Sequence, residues 1–381
     1  MKAAVLGYGT VGKGVHDMLC ASNTLEAGAV LVRAGKADAE FKTDSLEAIC
    51  ADKSIDAAAE TMGGVDTAYS YAKRVIESGK HFVTSNKALV AARGIELAAL
   101  ARENNVGFLF SAACGGAVPF LHNLELAREN DEIISLGGIL NGTTNYMLDM
   151  MQSEGLDYEE ALRDAQKLGY AEADPTADVS GLDALRKIML ACAVAYDVLP
   201  DEGAVCEGIE SLRKDDVDDL KARSLTCRLL ARGGKNADGS VYAYVQPALL
   251  PPDAPECAVK KNFNMAKYIG QNSGQIVLMG QGAGRYPTAS AVVRDIECLA
   301  VGQREMISER CRRGKADNSG VLCKFYVRLP SAFAGEFDAE SAEDTNGVTR
   351  LITKPMSVEK MHALARSLRR GGGEVFFAEL A

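Results

Sequence analysis

Between Gly169 and Lys187 the chain gathers four carboxylates and one amine: Glu172, Asp174, Asp178, Asp183 and Lys187. Asp183 and Lys187 are four residues apart, which puts them on one face of a helix. Two chemistries suit that spacing. One is a solvated ion pair contributing a few tenths of a kcal/mol. The other is a polar pocket in which carboxylates hold an amino group while the lysine moves a proton. Spacing alone leaves both open. Asp174-Pro175 and Ser180-Gly181 are turn signals, so the first half of the stretch reads as a loop. A helix is expected from about residue 180 through Leu182, Leu185, Ile188 and Met189.

A proton carrier needs a reaction partner, and the start of the chain supplies one. Residues 2–6 read as a short buried strand, followed by Gly7-Tyr8-Gly9-Thr10-Val11-Gly12 and a helical pattern through Val15, Met18 and Leu19. Between strand and helix, Gly-x-Gly-x-x-Gly allows a tight turn and close backbone approach, and the helix N-terminus receives a pyrophosphate. A structural turn is the alternative. After the second strand, at about 29–32, an NAD site usually carries an acidic residue for the ribose. Here that place holds Arg33-Ala34-Gly35-Lys36, with Asp38 only later. Arg33 and Lys36 suit a 2′-phosphate, which favours NADP over NAD; two solvated cations are the alternative.

Strands at 55–60, 81–84 and 107–111 then alternate with helices at 45–50, 66–77 and 95–103. That alternation predicts a doubly wound parallel sheet. Loops beyond the carboxyl ends of such strands line the cofactor crevice. They include Thr61-Met62-Gly63-Gly64 and Ser85-Asn86-Lys87, an assignment that would place Gly63 and Lys87 beside the dinucleotide; a solvated loop lysine is the alternative for Lys87.

Composition narrows the partners. The chain has 381 residues, 47% hydrophobic and 25% charged, long enough for two or three domains with sizeable cores. A net charge of −10 argues against nucleic acid and anionic membranes. No run approaches the ~18 apolar residues of a membrane span, and the N-terminal apolar run is too short for a signal peptide. A cytoplasmic location is the expectation. The ten cysteines include no Cys-x-x-Cys pair and the four histidines stand alone, so the thiols read as buried or inert rather than as zinc ligands.

Several runs carry a more specific signal: Glu60-Thr61-Met62-Gly63-Gly64, Thr84-Ser85-Asn86-Lys87, Gly138-Ile139-Leu140-Asn141-Gly142-Thr143-Thr144-Asn145-Tyr146, the stretch Gly169 to Lys187, Gly282-Ala283-Gly284, and Pro287-Thr288-Ala289-Ser290-Ala291-Val292. With the glycine motif, and in this order, they resemble homoserine dehydrogenase from Gly7 to about Asp295. The resemblance implies reversible NAD(P)H-dependent reduction of L-aspartate 4-semialdehyde to L-homoserine, a step toward threonine, methionine and isoleucine. It implies that Glu172 and Asp183 bind substrate, that Lys187 carries the proton and that Lys87 is a second functional lysine. It places Gly169 and Gly284 at the cofactor. It also implies a Rossmann-like nucleotide-binding domain (1–135 and 286–310), an α+β substrate and dimerisation domain (136–285), and a homodimer or higher homo-oligomer. Another amino-acid Rossmann dehydrogenase should lack the Asn141 to Tyr146 run. A non-catalytic NADP-binding redox sensor would not need Glu172, Asp183 and Lys187 together.

One departure concerns a monovalent cation. In the family, a glutamate helps hold Na+ together with backbone carbonyls that match Cys114, Gly116 and Val118. Here Ser111 takes the glutamate's place. Because a hard cation wants oxygen ligands and compensating charge, a weak carbonyl site and an ion-free turn stand as equal alternatives. Beyond Arg310-Cys311-Arg312-Arg313-Gly314-Lys315, read as a solvated basic linker, residues 316–381 look like a shortened ACT domain. Their pattern is strand (322–329), acidic loop, strand (349–353), helix (358–369) and strand (374–378). The Asp-x-Pro-Gly turn that holds an amino acid in such domains is missing, so the tail reads as support for folding or assembly.

Overall fold

The computed structural model describes residues 1–381, the side chain of Glu202 excepted. The chain divides into two compact units, one comprising Met1–Glu132, Leu190–Leu199 and Gly280–Arg313, the other Ile133–Met189, Pro200–Met279 and Gly314–Ala381.

The first unit is built on six parallel strands: β1 (Lys2–Leu6), β2 (Glu26–Leu31), β3 (Lys42–Thr43), β4 (Ala57–Glu60), β5 (His81–Thr84) and β6 (Phe108–Leu109). Their order is β3-β2-β1-β4-β5-β6, the doubly wound order of dinucleotide-binding sheets. Ala3 to Leu6 and Ala57 to Glu60 are buried along their whole length. Such runs, apolar on both faces up to the buried Glu60 that closes the second, fit central parallel strands and not half-exposed ones. The connecting helices are α1 (Thr10–Cys20), α2 (Leu46–Ala51), α3 (Asp66–Glu77) and α4 (Lys87–Glu103), with α5 (Phe120–Arg128) and the helix Arg285–Ala300 completing the unit.

Two local expectations are corrected here. The helix expected at 95–103 starts at Lys87, because the Asn86 side chain accepts the Leu89 N–H and caps it. The last strand stops at Leu109, and a 3-10 turn, Ser111–Ala113, follows.

The second unit is organised by an 11-stranded mixed sheet. Its strands include β7 (Ile133–Ile139), β8 (Val205–Cys206), β9 (Thr226–Lys235), β10 (Val241–Leu250), β11 (Phe263–Gly270), β12 (Gly274–Gln281), β13 (Leu322–Pro330), β14 (Ala339–Thr345), β15 (Val348–Thr353) and β16 (Phe376–Leu380). The main path runs β12-β11-β7-β9-β10-β16-β13-β15-β14, with β8 beside β10. Helices α6 (Gly142–Ser153), α7 (Tyr158–Lys167), α8 (Thr176–Val179), α10 (Lys214–Ala222) and α11 (Val358–Arg370) accompany it, as do the residues of α9 (Leu182–Tyr196) up to Met189; from Leu190 that helix belongs to the first unit. The tail is part of this sheet: β16 pairs with β10 on one side and β13 on the other. Met361, Ala365 and Leu368 of α11 share an apolar cluster with Tyr244 of β10 and Phe325, Val327 and Phe377 of the tail strands. Where an acidic loop is expected, the tail forms a 3-10 turn (Ser331–Glu336) and the strand β14. Among the described residues no helix is long and apolar enough to cross a membrane.

Candidate active site

In the first unit, strand β1 ends at Leu6 and α1 begins at Thr10, so the glycine run turns the chain from strand straight into helix. A Cβ on Gly12 would lie 2.1 Å from the Gly7 carbonyl oxygen; only glycine allows that approach. Gly9 is the N-cap and brings no side-chain acceptor, and no acidic residue stands in the first turn. The N–H groups there, those of Thr10 and Val11 included, present the positive end of the helix without a competing carboxylate. These features fit a dinucleotide pyrophosphate.

The loop after β4 is shaped by a buried carboxylate. Glu60 accepts the Met62 N–H (2.6 Å), the Gly63 N–H (3.1 Å) and the Thr84 hydroxyl (2.6 Å). Asn86 donates to the Gly64 carbonyl at 2.5 Å while its Oδ1 caps α4. Lys87 is therefore the first residue of α4, half-buried, and not a loop residue. Arg33 and Lys36 are exposed in the turn after β2, closed by the Lys36 N–H on the Arg33 carbonyl (3.0 Å). Asp38, the nearest acidic residue, is engaged by Lys42 at 2.6 Å, and that hydrogen bond holds its carboxyl below the usual range. Gly284, at φ 120°, is the N-cap of the helix Arg285–Ala300.

In the second unit, β7 runs into Leu140 and Asn141, and α6 starts at Gly142 under the Asn141 cap, whose Oδ1 accepts the Thr144 N–H at 2.8 Å. Lys187 Nζ donates to the Leu140 carbonyl at 2.6 Å and sits 2.7 Å from Asp183 Oδ2. Both residues are buried. The amide nitrogen of Asn141 donates to Asp183 at 2.9 Å and to Asp178 at 2.7 Å. Thr143 donates to the Tyr170 carbonyl at 2.6 Å and lies 3.1 Å from Asp178 Oδ2. Burial raises the Asp178 carboxyl above its ordinary value and the Asp183 charge adds to this; the hydrogen bonds from Asn141 and Thr143 and the charge of Lys187 oppose it.

The helix carrying Asp183 and Lys187 begins at Leu182, and the stretch before it is not wholly loop, since residues 176–179 form α8. Asp174 is exposed and accepts the Thr176 N–H at 3.1 Å, opening that turn. Glu172 is exposed, and its carbonyl accepts from Gln166. Gly169, at φ 76°, follows α7 and lies outside the carboxylate–lysine cluster's hydrogen bonds.

Asp178 stands in the sequence among the carboxylates of the Gly169–Lys187 stretch, and Asn141 in a run that carries the family resemblance; what the sequence does not show is that the Asn141 amide and the Leu140 carbonyl join Asp178, Asp183 and Lys187 in one hydrogen-bonded cluster. The available signal was an asparagine before Gly-Thr-Thr, a helix-capping pattern. Nothing local joins it to carboxylates 37 and 42 residues away.

In the first unit's 3-10 turn, Ser111 donates its N–H (2.8 Å) and hydroxyl (2.5 Å) to the fully buried Asp295. His122 Nε2 lies 2.8 Å from the same carboxylate. Burial is the largest influence on His122 and lowers its pKa. Hydrogen bonds and attraction from Asp295 and Glu125 outweigh it and raise the pKa to about 9. Gly115 and Gly116 lie in the turn that follows, where the Val118 carbonyl accepts the Phe120 N–H at 2.8 Å.

Comparison with known proteins covers both units. The family model for the homoserine dehydrogenase NAD-binding domain matches residues 7–111, and that for homoserine dehydrogenase matches 119–296. The homoserine dehydrogenase of Synechocystis sp. is 39% identical over 313 residues, 78% of this chain and 72% of its own. That of Corynebacterium glutamicum is 37% identical over 353 residues, covering 87% and 77%. A solved homoserine dehydrogenase from Thiobacillus denitrificans aligns with a TM-score of 0.89 at 27% identity, over 100% of this chain and 98% of its own. The S. aureus enzyme aligns at a TM-score of 0.75 and 26% identity, over 100% and 99%. An NAD(P)-type nucleotide turn, a buried carboxylate–lysine cluster and these matches agree: the chain belongs to the homoserine dehydrogenase family.

Proposed function

We propose that this protein interconverts L-aspartate 4-semialdehyde and L-homoserine with NADP, using Lys187 to carry the proton. The observation that supports this most is the fixed lysine: its nitrogen donates to the Leu140 carbonyl and lies against Asp183, which Asn141 also holds. Reduction of an aldehyde builds negative charge on its oxygen, and an ammonium aimed there stabilises the charge and supplies the proton. A reduced nicotinamide, when bound, supplies the hydride. In the reverse direction Lys187 takes the hydroxyl proton.

Glu172 and Asp183 bind the amino end of the substrate, and Lys87 at the start of α4 is the second ammonium of the reaction. The cofactor contacts are Gly7, Gly9, Thr10, Val11, Gly12, Gly63, Gly169 and Gly284, with Arg33 and Lys36 receiving the 2′-phosphate. The commitment of Asp38 to Lys42 favours phosphate over a free ribose in that place. The domain limits proposed for this reading are 1–135 with 286–310, 136–285, and 316–381.

The carbonyls of Cys114, Gly116 and Val118 are not assigned an ion. Ser111 brings no charge, and the carboxylate beside it, Asp295, is already compensated by His122. No step runs through a cation. We infer a cytoplasmic homo-oligomer, most simply a dimer. The edge strand β12, with Val277 and Met279 exposed, is a surface that suits it.

The test is an absorbance assay at the nicotinamide band with L-homoserine and either NADP or NAD. Lys187→Ala should abolish homoserine oxidation and leave NADP binding largely intact. Wild-type-like turnover in that variant would remove the mechanism.

A further inference from the structure

The turn that carries Asp178 and leads to Asp183 does not hold its shape alone. Its Val179 carbonyl accepts the Ile209 N–H at 2.9 Å. Gly208 lies so close that a Cβ there would be 1.9 Å from the Val179 oxygen and 2.6 Å from Ser180 Cα. From the other side, a Cβ on Gly181 would meet Val245 at 3.2 Å and the Glu207 carbonyl at 3.4 Å. The segment Glu207 to Ile209 is thus the wall against which residues 179–181 are moulded.

That wall is fixed by two anchors. Strand β8 pairs with β10, and the Glu207 N–H continues the pairing by donating to the Val245 carbonyl at 2.8 Å. The Glu207 side chain accepts two hydrogen bonds from Arg369, at 2.9 and 2.5 Å. Arg369 stands in the last turn of α11, and the same guanidinium donates to the Val375 carbonyl at 2.8 Å, just before β16. A planar fork that grips a carboxylate twice fixes orientation as well as distance, which a lysine cannot do.

We propose that Arg369 and Glu207 are positioning residues for the reaction: through Glu207–Ile209, the C-terminal helix sets the placement of the turn that holds Asp178 and launches Asp183 and Lys187. The proposal rests on the reading of Lys187 as proton carrier. It gives the tail a part in turnover that needs no effector. Misplacing a reacting group by about 1 Å costs roughly 100-fold in rate, so a softened brace acts on kcat before it acts on folding.

The test compares Arg369→Ala, Arg369→Lys, Glu207→Gln and the Glu207→Gln/Arg369→Ala double variant with wild type in homoserine oxidation. The folded fraction is followed by far-UV circular dichroism. Arg369→Ala and Glu207→Gln should each lower kcat by roughly tenfold or more with KM for NADP within about twofold of wild type. The double variant should be no slower than the worse single variant, because one device has been removed. Arg369→Lys should recover part of the loss. An unchanged kcat in both single variants overturns the proposal. So does a loss that only tracks the folded fraction, or one that adds fully in the double variant. Lys187→Ala runs beside them. If it is dead while Arg369→Ala and Glu207→Gln are normal, only the brace fails; if it is active, the reading of Lys187 fails and the brace with it.

Discussion

Asn141 performs three connections with one side chain: it caps α6 through its oxygen and bridges Asp178 and Asp183 through its nitrogen. A donor between two carboxylates lowers the cost of holding like charges together. Asp183 and Lys187 could be read from spacing, because a helix repeats every few residues. The Asn141 bridge could not, since its partners come together only when β7 and α9 have packed. Asp174 and Asp178 looked equivalent in sequence, yet one opens an exposed turn and the other is drawn into the buried cluster.

His122 makes a residue-scale prediction with a definite sign. Its pKa in the folded chain is raised to about 9 from an ordinary 6.5. Its contribution is therefore complete below about pH 6.5 and disappears as pH rises through about 9, and it amounts to at most roughly 3 kcal/mol. Thermal melts of wild type and His122→Gln should converge between about pH 7 and 10. Curves that stay parallel over that interval would show that the imidazole carries no folded-state charge.

Elements differ in how plainly they announce themselves. The buried strands of the first sheet are continuous apolar runs, and their periodic alternation with helices makes the parallel sheet legible. Strand β14 gives no such signal. Glu340, Glu343 and Asp344 make it polar and exposed beyond Ala339, and it exists because β15 pairs with it. The start of α4 is masked in the sequence for a related reason. Ser85-Asn86 looks like a turn, and the same chemistry makes Asn86 a cap. Because Asn86 also ties the Gly64 carbonyl, Asn86→Ala should cost about 1 kcal/mol of stability. It should also raise KM for NADP more than KM for homoserine. Equal changes in the two constants would detach the cap from the nucleotide loop.

At the scale of the molecule, charge is the first consideration. A net charge of −10 repels a cofactor that itself carries several negative charges. Arg33 and Lys36 therefore act as a local exception in an acidic surface, and exposed charges of this kind are screened by salt. Arg33→Ala should weaken NADP more than NAD in steady-state assays, and the difference should shrink as ionic strength rises. Equal weakening of both cofactors would remove the case for the 2′-phosphate. Sequence motifs foretold a nucleotide-binding sheet and a second, α+β part; the sheet of that part is mixed, with β16 parallel to β10. They did not foretell that one sheet takes its strands from three separated segments, because pairing partners as distant in the chain as Ala248 and Glu379 leave no periodic trace.

The place of β16 has a consequence for how the protein is made. It lies in the interior of the large sheet, between β10 and β13, and follows every other strand of that sheet in the chain. On a ribosome, β10 and β13 emerge with facing edges and nothing to join them until residues 376–380 have left the exit tunnel. The carboxylate–lysine cluster rests on the same sheet, so a nascent or prematurely terminated chain has its reactive residues but not the frame that aligns them. During that interval the Lys324–Arg328 edge of β13 and the Ala248–Leu249 end of β10 lack their partner, and an unpaired strand edge is a template on which neighbouring chains can pair.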